Sequence, residues 1–380
     1  MKKMLAVLMI LCLLIPSMAL GENVVKIGVY EPASGDSGAG GKQEILGMQY
    51  ANAVAPTVEI GGETYTVELV YADNGSSTDK APTAAQKLVS ENVSVVLGSY
   101  GSSVSNAGKP YFEAAGIPAI GVTCTNPSVT QGNTHYFRIC FLDPFQGTVL
   151  ANYAFKELNA TTAYCLSELG NDYDTGLVHY FKEAFEGMGG TVIDETFQTG
   201  NSDFTSYLST AAALEADVIF APCSLSYTQN IVMQAAAQNV TIPLMGSDTW
   251  DSNVIVEAAT GTNVQIYVST FYQEGGTDFD IGFKAWINSD SVNLANNNGN
   301  DMISAVSVMG YDAYFVALEA LKAAGSTDPK AVNEALWNVS YEGVTGHISF
   351  DEIGDAKRDT AYIKTLKDGE WVLAAVQGVD

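Results

Sequence analysis

Apolar runs of strand length alternate with longer, one-sided apolar patterns along most of this chain. In the first part the alternation predicts strands at 24–30, 65–71 and 136–140, and helices at 43–54 and 80–90. The most informative stretch lies among them. Val95-Val96-Leu97 ends in Gly98-Ser99-Tyr100-Gly101-Ser102-Ser103, and Ile117-Pro118-Ala119-Ile120 ends in Gly121-Val122-Thr123-Cys124-Thr125-Asn126-Pro127. A helical segment, 105–115, separates the two. This is a β-α-β unit whose strands are apolar on both faces and therefore buried. Small hydroxyl residues collect just past the carboxyl ends of its strands, where open α/β sheets bind ligands. No strong acid, base or nucleophile stands there, so the stretch suits holding a small polar molecule rather than transforming it.

A second series follows. Helices are predicted at 147–158, 173–188, 204–212 and 227–238, and strands at 163–166, 191–197, 217–221, 242–246 and 265–270. Strands alternating with helices of this length predict an α/β fold with parallel sheets covered on both faces. The two series match in length and order, which predicts two similar lobes, although no sequence repeat is visible. The last part differs, with helices at 279–287, 303–324 and 328–337 and strands at 346–350, 362–366 and 371–376. Its Asn-rich segment 293–300 predicts an exposed loop.

Composition changes the picture at the N-terminus. Lys2 and Lys3 precede an apolar core at 4–15, and Pro16-Ser17-Met18-Ala19-Leu20-Gly21 supplies small residues for cleavage. Residues 1–21 read as a signal peptide, too short in its apolar part to span a membrane comfortably. Leu11 before Cys12 is bulky where a small residue precedes a lipidated cysteine, so no lipid anchor is expected. The mature chain is expected to be exported and soluble. Without Lys2 and Lys3, 15 basic residues face 43 acidic ones, a net charge of −28 with His neutral. That charge argues against nucleic acid and anionic membranes as partners. Cys124, Cys140, Cys165 and Cys223 are widely spaced with no C-x-x-C. A disulfide, for instance Cys165 with Cys223 on neighbouring strands, and four buried free thiols both fit.

The catalytic motifs fail on inspection. Gly35-Asp36-Ser37-Gly38 surrounds the nucleophile in trypsin-like proteases, but those are β-barrels, with histidine and aspartate ahead of the serine. Here His135, His179 and His347 all follow it, and nucleophilic catalysis needs a base within hydrogen-bond reach. The segment reads instead as a Gly-rich turn opening the helix at 43, or else as a loop contacting ligand. Gly38-Ala39-Gly40-Gly41 lacks dinucleotide-binding spacing, no Walker lysine is present, and no His/Cys/Asp set has metal-ligand spacing. No cofactor, no metal and no enzymatic activity are expected.

Three further strand ends are polar: Ser167-Glu168-Leu169-Gly170-Asn171-Asp172-Tyr173, Pro222-Cys223-Ser224, and Gly246-Ser247-Asp248-Thr249-Trp250. Together they place Tyr173, Ser224 and Asp248 on one rim, facing Ser102 and Thr125 on the other. The hydroxyls and N–H groups at Ser102 and Thr125, with the helix after Ser103, suit a carboxylate. Asp248 suits an ammonium, with the Thr123 carbonyl as a second acceptor. The sum is a site for a zwitterion.

These residues carry a resemblance over essentially the whole mature chain. Val25-Lys26-Ile27-Gly28-Val29 with Ser34-Gly35, Leu97-Gly98-Ser99-Tyr100-Gly101-Ser102-Ser103, Asn171-Asp172-Tyr173-Asp174-Thr175-Gly176, Asp203-Phe204, Met245-Gly246-Ser247-Asp248 and Gly310-Tyr311-Asp312-Ala313 stand in the order and spacing of the periplasmic Leu/Ile/Val-binding proteins. The chain resembles that family of importer receptors. The resemblance implies two Rossmann-like lobes, type I periplasmic binding protein architecture and a three-strand hinge crossing near Leu142, Tyr272 and Phe350. The lobes would be 22–142 with 272–349, and 143–271 with 350–380. It implies a periplasmic monomer that binds an α-amino acid, aliphatic or branched-chain, and docks on the permease subunits of an ABC importer. By position, Ser102 and Thr125 match residues holding the ligand's charged head, Thr123 a backbone contact, Tyr173 a tyrosine closing over the ligand, and Asp248 an ammonium partner that is often Glu. Gly40 and Ser224 stand where relatives can place aromatic rings, and Tyr100, Tyr227 and Trp250 are candidates to refill that space. Ser103 completes the candidate set. The same fold also serves receptors for amides and aromatic acids, and stand-alone ligand sensors.

Overall fold

The computed structural model describes residues 23–378; the expected signal peptide, 1–21, lies outside them. The first sheet contains β1 (Val24–Glu31), β2 (Thr57–Ile60), β3 (Glu63–Asp73), β4 (Val95–Leu97), β5 (Ala119–Gly121) and β6 (Tyr136–Arg138), in the order β2-β3-β1-β4-β5-β6. The second contains β7 (Thr162–Glu168), β8 (Thr191–Phe197), β9 (Val218–Phe220), β10 (Leu244–Gly246) and β11 (Ile266–Thr270). A hairpin, β12 (Ser340–Gly343) with β13 (Gly346–Ser349), precedes β14 (Ala361–Lys367) and β15 (Glu370–Gln377), which return to the second sheet. Its order is β15-β14-β11-β10-β9-β7-β8.

Strip the antiparallel edge strands and the two sheets have one topology. Each parallel core runs second, first, third, fourth, fifth strand: β3-β1-β4-β5-β6 and β8-β7-β9-β10-β11. In such a sheet the strand order reverses between the first and third strands, and the crevice at their carboxyl ends receives ligand. The chain alone thus designates two facing crevices, one after β1 and β4, the other after β7 and β9.

The helices in chain order are α1 (Gly38–Val54), α2 (Ala81–Ser90), α3 (Ser102–Ala115), α4 (Asp143–Asn152), α5 (Asp172–Gly187), α6 (Thr205–Ala213), α7 (Leu225–Ala237), α8 (Asn253–Ala259), α9 (Asp278–Ser289), α10 (Ser291–Asn296), α11 (Ala305–Ala324) and α12 (Pro329–Leu336). After β11 the chain returns to the first sheet, where α11 packs along α1 and on β2, β4 and β5. The α1–α11 contact is close because Gly47 lies on the Ser307 carbonyl and Gly310 on that of Glu44; a methyl group on either would collide with backbone.

Three expectations are corrected. The Gly-rich segment after Ser37 is not a turn; it is the first turn of α1, where Gly41 lies against Pro32 and Gly40 under the Tyr100 ring. The Asn-rich segment is not simply an exposed loop. Residues 291–296 form α10, and Asn297 is fully buried, its Oδ1 accepting from Gln43 Nε2 at 3.1 Å. Tertiary demand for a polar partner overrides the local signal there. The helix expected to begin at 147 begins at Asp143, and its continuation at 153–157 is a π turn. The four cysteines are buried free thiols. No helix of the described residues is long and apolar enough to cross a membrane.

Candidate ligand-binding site

The segments after the four designated strands meet around one cavity of about 420 Å³. After β1 come Pro32, Asp36 and Ser37; after β4, the run Tyr100 to Val104; at the end of β7, Glu168 and Asn171; after β9, Ser224. The two lobes touch on both flanks. On one flank Ser37 Oγ lies 3.1 Å from Ser224 Oγ, and Asp36 accepts from Ser226 Oγ at 3.2 Å. On the other, the N-terminus of α5 meets α3: Ser103 Oγ accepts from Asp172 N–H at 2.8 Å, and Asn106 Nδ2 donates to Asp172 Oδ2 at 2.9 Å. Asn126 Nδ2 also donates to the Asp172 carbonyl at 2.7 Å. The cleft is therefore closed.

The first turn of α3 forms one wall. Gly101 enters it extended, and Tyr100, Ser102 and Ser103 line the cavity. Ser102 Oγ accepts from Asn126 N–H at 3.2 Å, which ties the two polar strand ends together. The free N–H groups of a helix start are a natural anion site. Tyr173 forms the opposite wall, set by the Asn171 cap of α5. Its hydroxyl lies 2.7 Å from Asp248 Oδ1 and 2.6 Å from Ser247 Oγ. Gln146 Nε2 donates to the same Asp248 oxygen at 2.8 Å and to Ser269 Oγ at 2.7 Å. Both bonds converge on Oδ1, which leaves Asp248 Oδ2 for other donors.

Of the residues read from sequence, Tyr100, Ser102, Ser103, Tyr173 and Ser224 line the cavity. Asp248 is buried behind the Tyr173 hydroxyl. Thr123 and Thr125 are buried beside acids: Thr123 Oγ1 donates to Glu44 Oε2 at 2.5 Å, and Asp143 N–H donates to the Thr125 carbonyl at 3.1 Å. Trp250 is elsewhere. It is fully buried in the core of the second lobe, over Gly246, with its indole N–H on the Ala221 carbonyl at 2.9 Å. Tyr100 does occupy the space over Gly40.

Four residues escaped the sequence reading: Glu31, Glu44, Asp143 and Gln146. They sit inside regular elements or at their edges, and only the topology brings them together. Glu31 Oε2 accepts from Tyr100 N–H at 2.7 Å. Its carboxyl also meets that of Glu44, and two carboxyls can share a hydrogen bond only if one is protonated. Burial drives Glu31 well above the usual carboxylate range and Glu44 up to about 7. Burial also raises Asp248 to about 6, although Tyr173 and Gln146 hold it down. Asp143 is pushed by burial up to about 8, against the pull of the Thr125 hydroxyl and with Asp248 adding repulsion.

Asp143 therefore carries a pH dependence of known sign. A carboxyl raised by folding stabilises fully below its unfolded value, and that contribution is lost as pH rises towards 8. Asp143→Asn keeps the shape without the charge. We expect its melting temperature to gain on the wild type steadily between pH 4 and pH 8; parallel curves would contradict the assignment.

A periplasmic binding protein family profile matches residues 24–370. The chain belongs to the periplasmic binding protein family. It is 26% identical over 337 residues to a Leu/Ile/Val-binding protein homolog of Brucella suis, covering 88% of each chain. Among solved structures, the leucine-binding protein LivK of Thermotoga maritima superposes with a TM-score of 0.83 at 30% identity, over 93% of this chain and 99% of that one. LivJ of Streptococcus pneumoniae, a branched-chain amino acid transporter substrate-binding protein solved with isoleucine, gives 0.80 at 28% identity, over 94% and 99%. Two lobes with parallel-sheet cores are the architecture of this family.

Proposed function

We propose that this binding protein is the extracytoplasmic receptor of an ABC importer and that it holds an α-amino acid in the interlobe cavity. The observation that carries the reading is the pairing of opposite charge sites across one closed cleft. The α3 start with Ser102 takes the carboxylate; Asp248, fixed by Tyr173 and Gln146, takes the ammonium. The ligand bridges half-sites from both lobes, so it binds the closed form better than the open one and shifts the population towards it. The lobes, 22–142 with 272–349 and 143–271 with 350–380, rotate about the three crossovers, and permease subunits recognise the closed form. Glu31 and Glu44, sharing one proton beneath Tyr100 and Thr123, keep this end of the cleft negative.

Two measurements test the reading. Native mass spectrometry of gently purified mature protein is expected to show one non-covalently bound α-amino acid, unchanged after incubation. An aromatic acid or amide in its place, or a turnover product, would contradict it. Affinity should also fall below pH 6, approaching tenfold per pH unit, because the ammonium needs Asp248 ionised and its free-protein value is about 6. Affinity flat from pH 7 to pH 5 would take Asp248 out of contact with the ligand.

A further inference from the structure

The aliphatic side chain implied by the resemblance finds little to bind. Beyond Tyr100 and Tyr173, the described residues give the cavity wall only Pro32, Val104 and Leu169 as apolar residues of any size. The rest is hydroxyl, amide and carboxylate. Among the described residues three acids line it, Asp36, Asp79 and Glu168, and no Lys, Arg or His does.

Two of those acids come from opposite lobes and converge on one group. The Tyr227 hydroxyl lies 3.0 Å from Asp36 Oδ2 and 3.2 Å from Glu168 Oε1, while its oxygen accepts from Gly200 N–H at 3.0 Å. A phenol has one hydrogen for the two carboxylates. Glu168 is only 8% exposed, and neither it nor Asp36 forms an ion pair among the described residues. Closing the cleft thus sets the exposed Asp36 and the buried Glu168 on one phenol without a protein cation, so a positive charge entering there meets a carboxylate from each lobe.

A second observation also calls for an N–H group on the ligand. Tyr100 lines the cavity and is only 6% exposed, yet no described residue hydrogen-bonds its hydroxyl. The charged groups that act on it are Asp248, Glu44 and Glu31, all acids. That phenol oxygen lies over Gly40 at the cavity wall and is left able to accept from a ligand N–H.

The acids and the head-group site share one continuous wall. Ser103 Oγ lies 3.5 Å from Asn171 Oδ1, and Asn171 Nδ2 donates to Glu168 Oε2 at 3.1 Å. Among the described residues no group of three acids, histidines or cysteines is placed to hold a metal ion. A positive charge between Asp36 and Glu168 would therefore arrive on the ligand. We infer that the ligand is an α-amino acid with a basic side chain, an ω-ammonium or guanidinium held between Asp36 and Glu168; this rests on the amino-acid reading of the head-group site.

Titration calorimetry with L-lysine and L-norleucine, which differ by the ω-amino group alone, tests it, with L-ornithine, L-arginine and L-leucine alongside. At least one basic amino acid should bind about tenfold or more tighter than norleucine and leucine. Glu168→Gln and Asp36→Asn should each pull the lysine-to-norleucine ratio towards one, while circular dichroism melting shows both variants folded. Leucine or norleucine binding as tightly as every basic amino acid would overturn the inference and leave the amino-acid reading standing. Binding of 1,5-diaminopentane without binding of any α-amino acid would overturn the amino-acid reading and keep only the cation pocket between Asp36 and Glu168. Binding of neither class would end both.

Discussion

Asp248→Ala is expected to weaken amino-acid binding by about 2–5 kcal/mol, roughly 30-fold to several-thousand-fold. The carboxylate is buried and takes Tyr173 and Gln146 on one oxygen; in the proposed complex the other meets the ligand ammonium. Alanine leaves that ammonium buried without its partner, and most of the loss is this penalty rather than the worth of one hydrogen bond. The effect should appear in the dissociation rate. Asp248→Asn keeps the shape and loses the charge, so it should fall between. Folding stability at neutral pH should not drop with affinity, since the same burial that raises Asp248 to about 6 makes its charge costly in the empty protein. Unchanged affinity in the alanine variant would remove Asp248 from the site.

The second large effect is structural. Arg138→Met should cost about 3–5 kcal/mol of stability, the usual penalty for removing one partner of a buried ion pair. Arg138 is fully buried at the end of β6, and its Nε and Nη2 each lie 2.8 Å from Asp355 Oδ1 on the crossover before β14. Its Nη1 donates to the Cys124 carbonyl at 2.9 Å and also to that of Asn126, and Nη2 donates to Thr130 Oγ1 at 3.0 Å. One guanidinium thus ties a crossover between the lobes to the loop that carries Thr125. Methionine strands the carboxylate and both carbonyls at once. Adding Asp355→Leu should recover part of the loss, because the unpaired charge is then gone. Chemical denaturation reads both effects, and a cost below about 1 kcal/mol for Arg138→Met would mean the pair is solvated.

Periodicity made the lobes legible, because buried parallel strands leave unbroken apolar runs such as Val95-Val96-Leu97 and the fifth strand at 119–121. The strand ends were legible for the same reason: Ser102, Ser103, Tyr173 and Ser224 follow such runs and reach the cavity. Local pattern failed where a residue answers a distant one. Gly40 and Gly41 look like a turn, but their missing side chains admit Tyr100 and Pro32 against α1. Asn297 looks solvated, but Gln43 requires it inside. Glu44 and Gln146 occupy ordinary helical positions, and nothing nearby in sequence marks Thr123 or Asp248 as their partners. Trp250 was misplaced by proximity: two residues beyond Asp248, the chain turns it into the second core rather than towards ligand.

In the proposed complex a charged amino-acid head is held between α3 and Asp248. Titration calorimetry of stripped mature protein, comparing each α-amino acid that binds with its matching 2-oxo acid, tests it most directly. The prediction is one ligand per protein for at least one α-amino acid, with its 2-oxo acid at least about 30-fold weaker because Asp248 then has no ammonium to meet. No binding by any α-amino acid, or equal binding by its 2-oxo acid, would contradict the account.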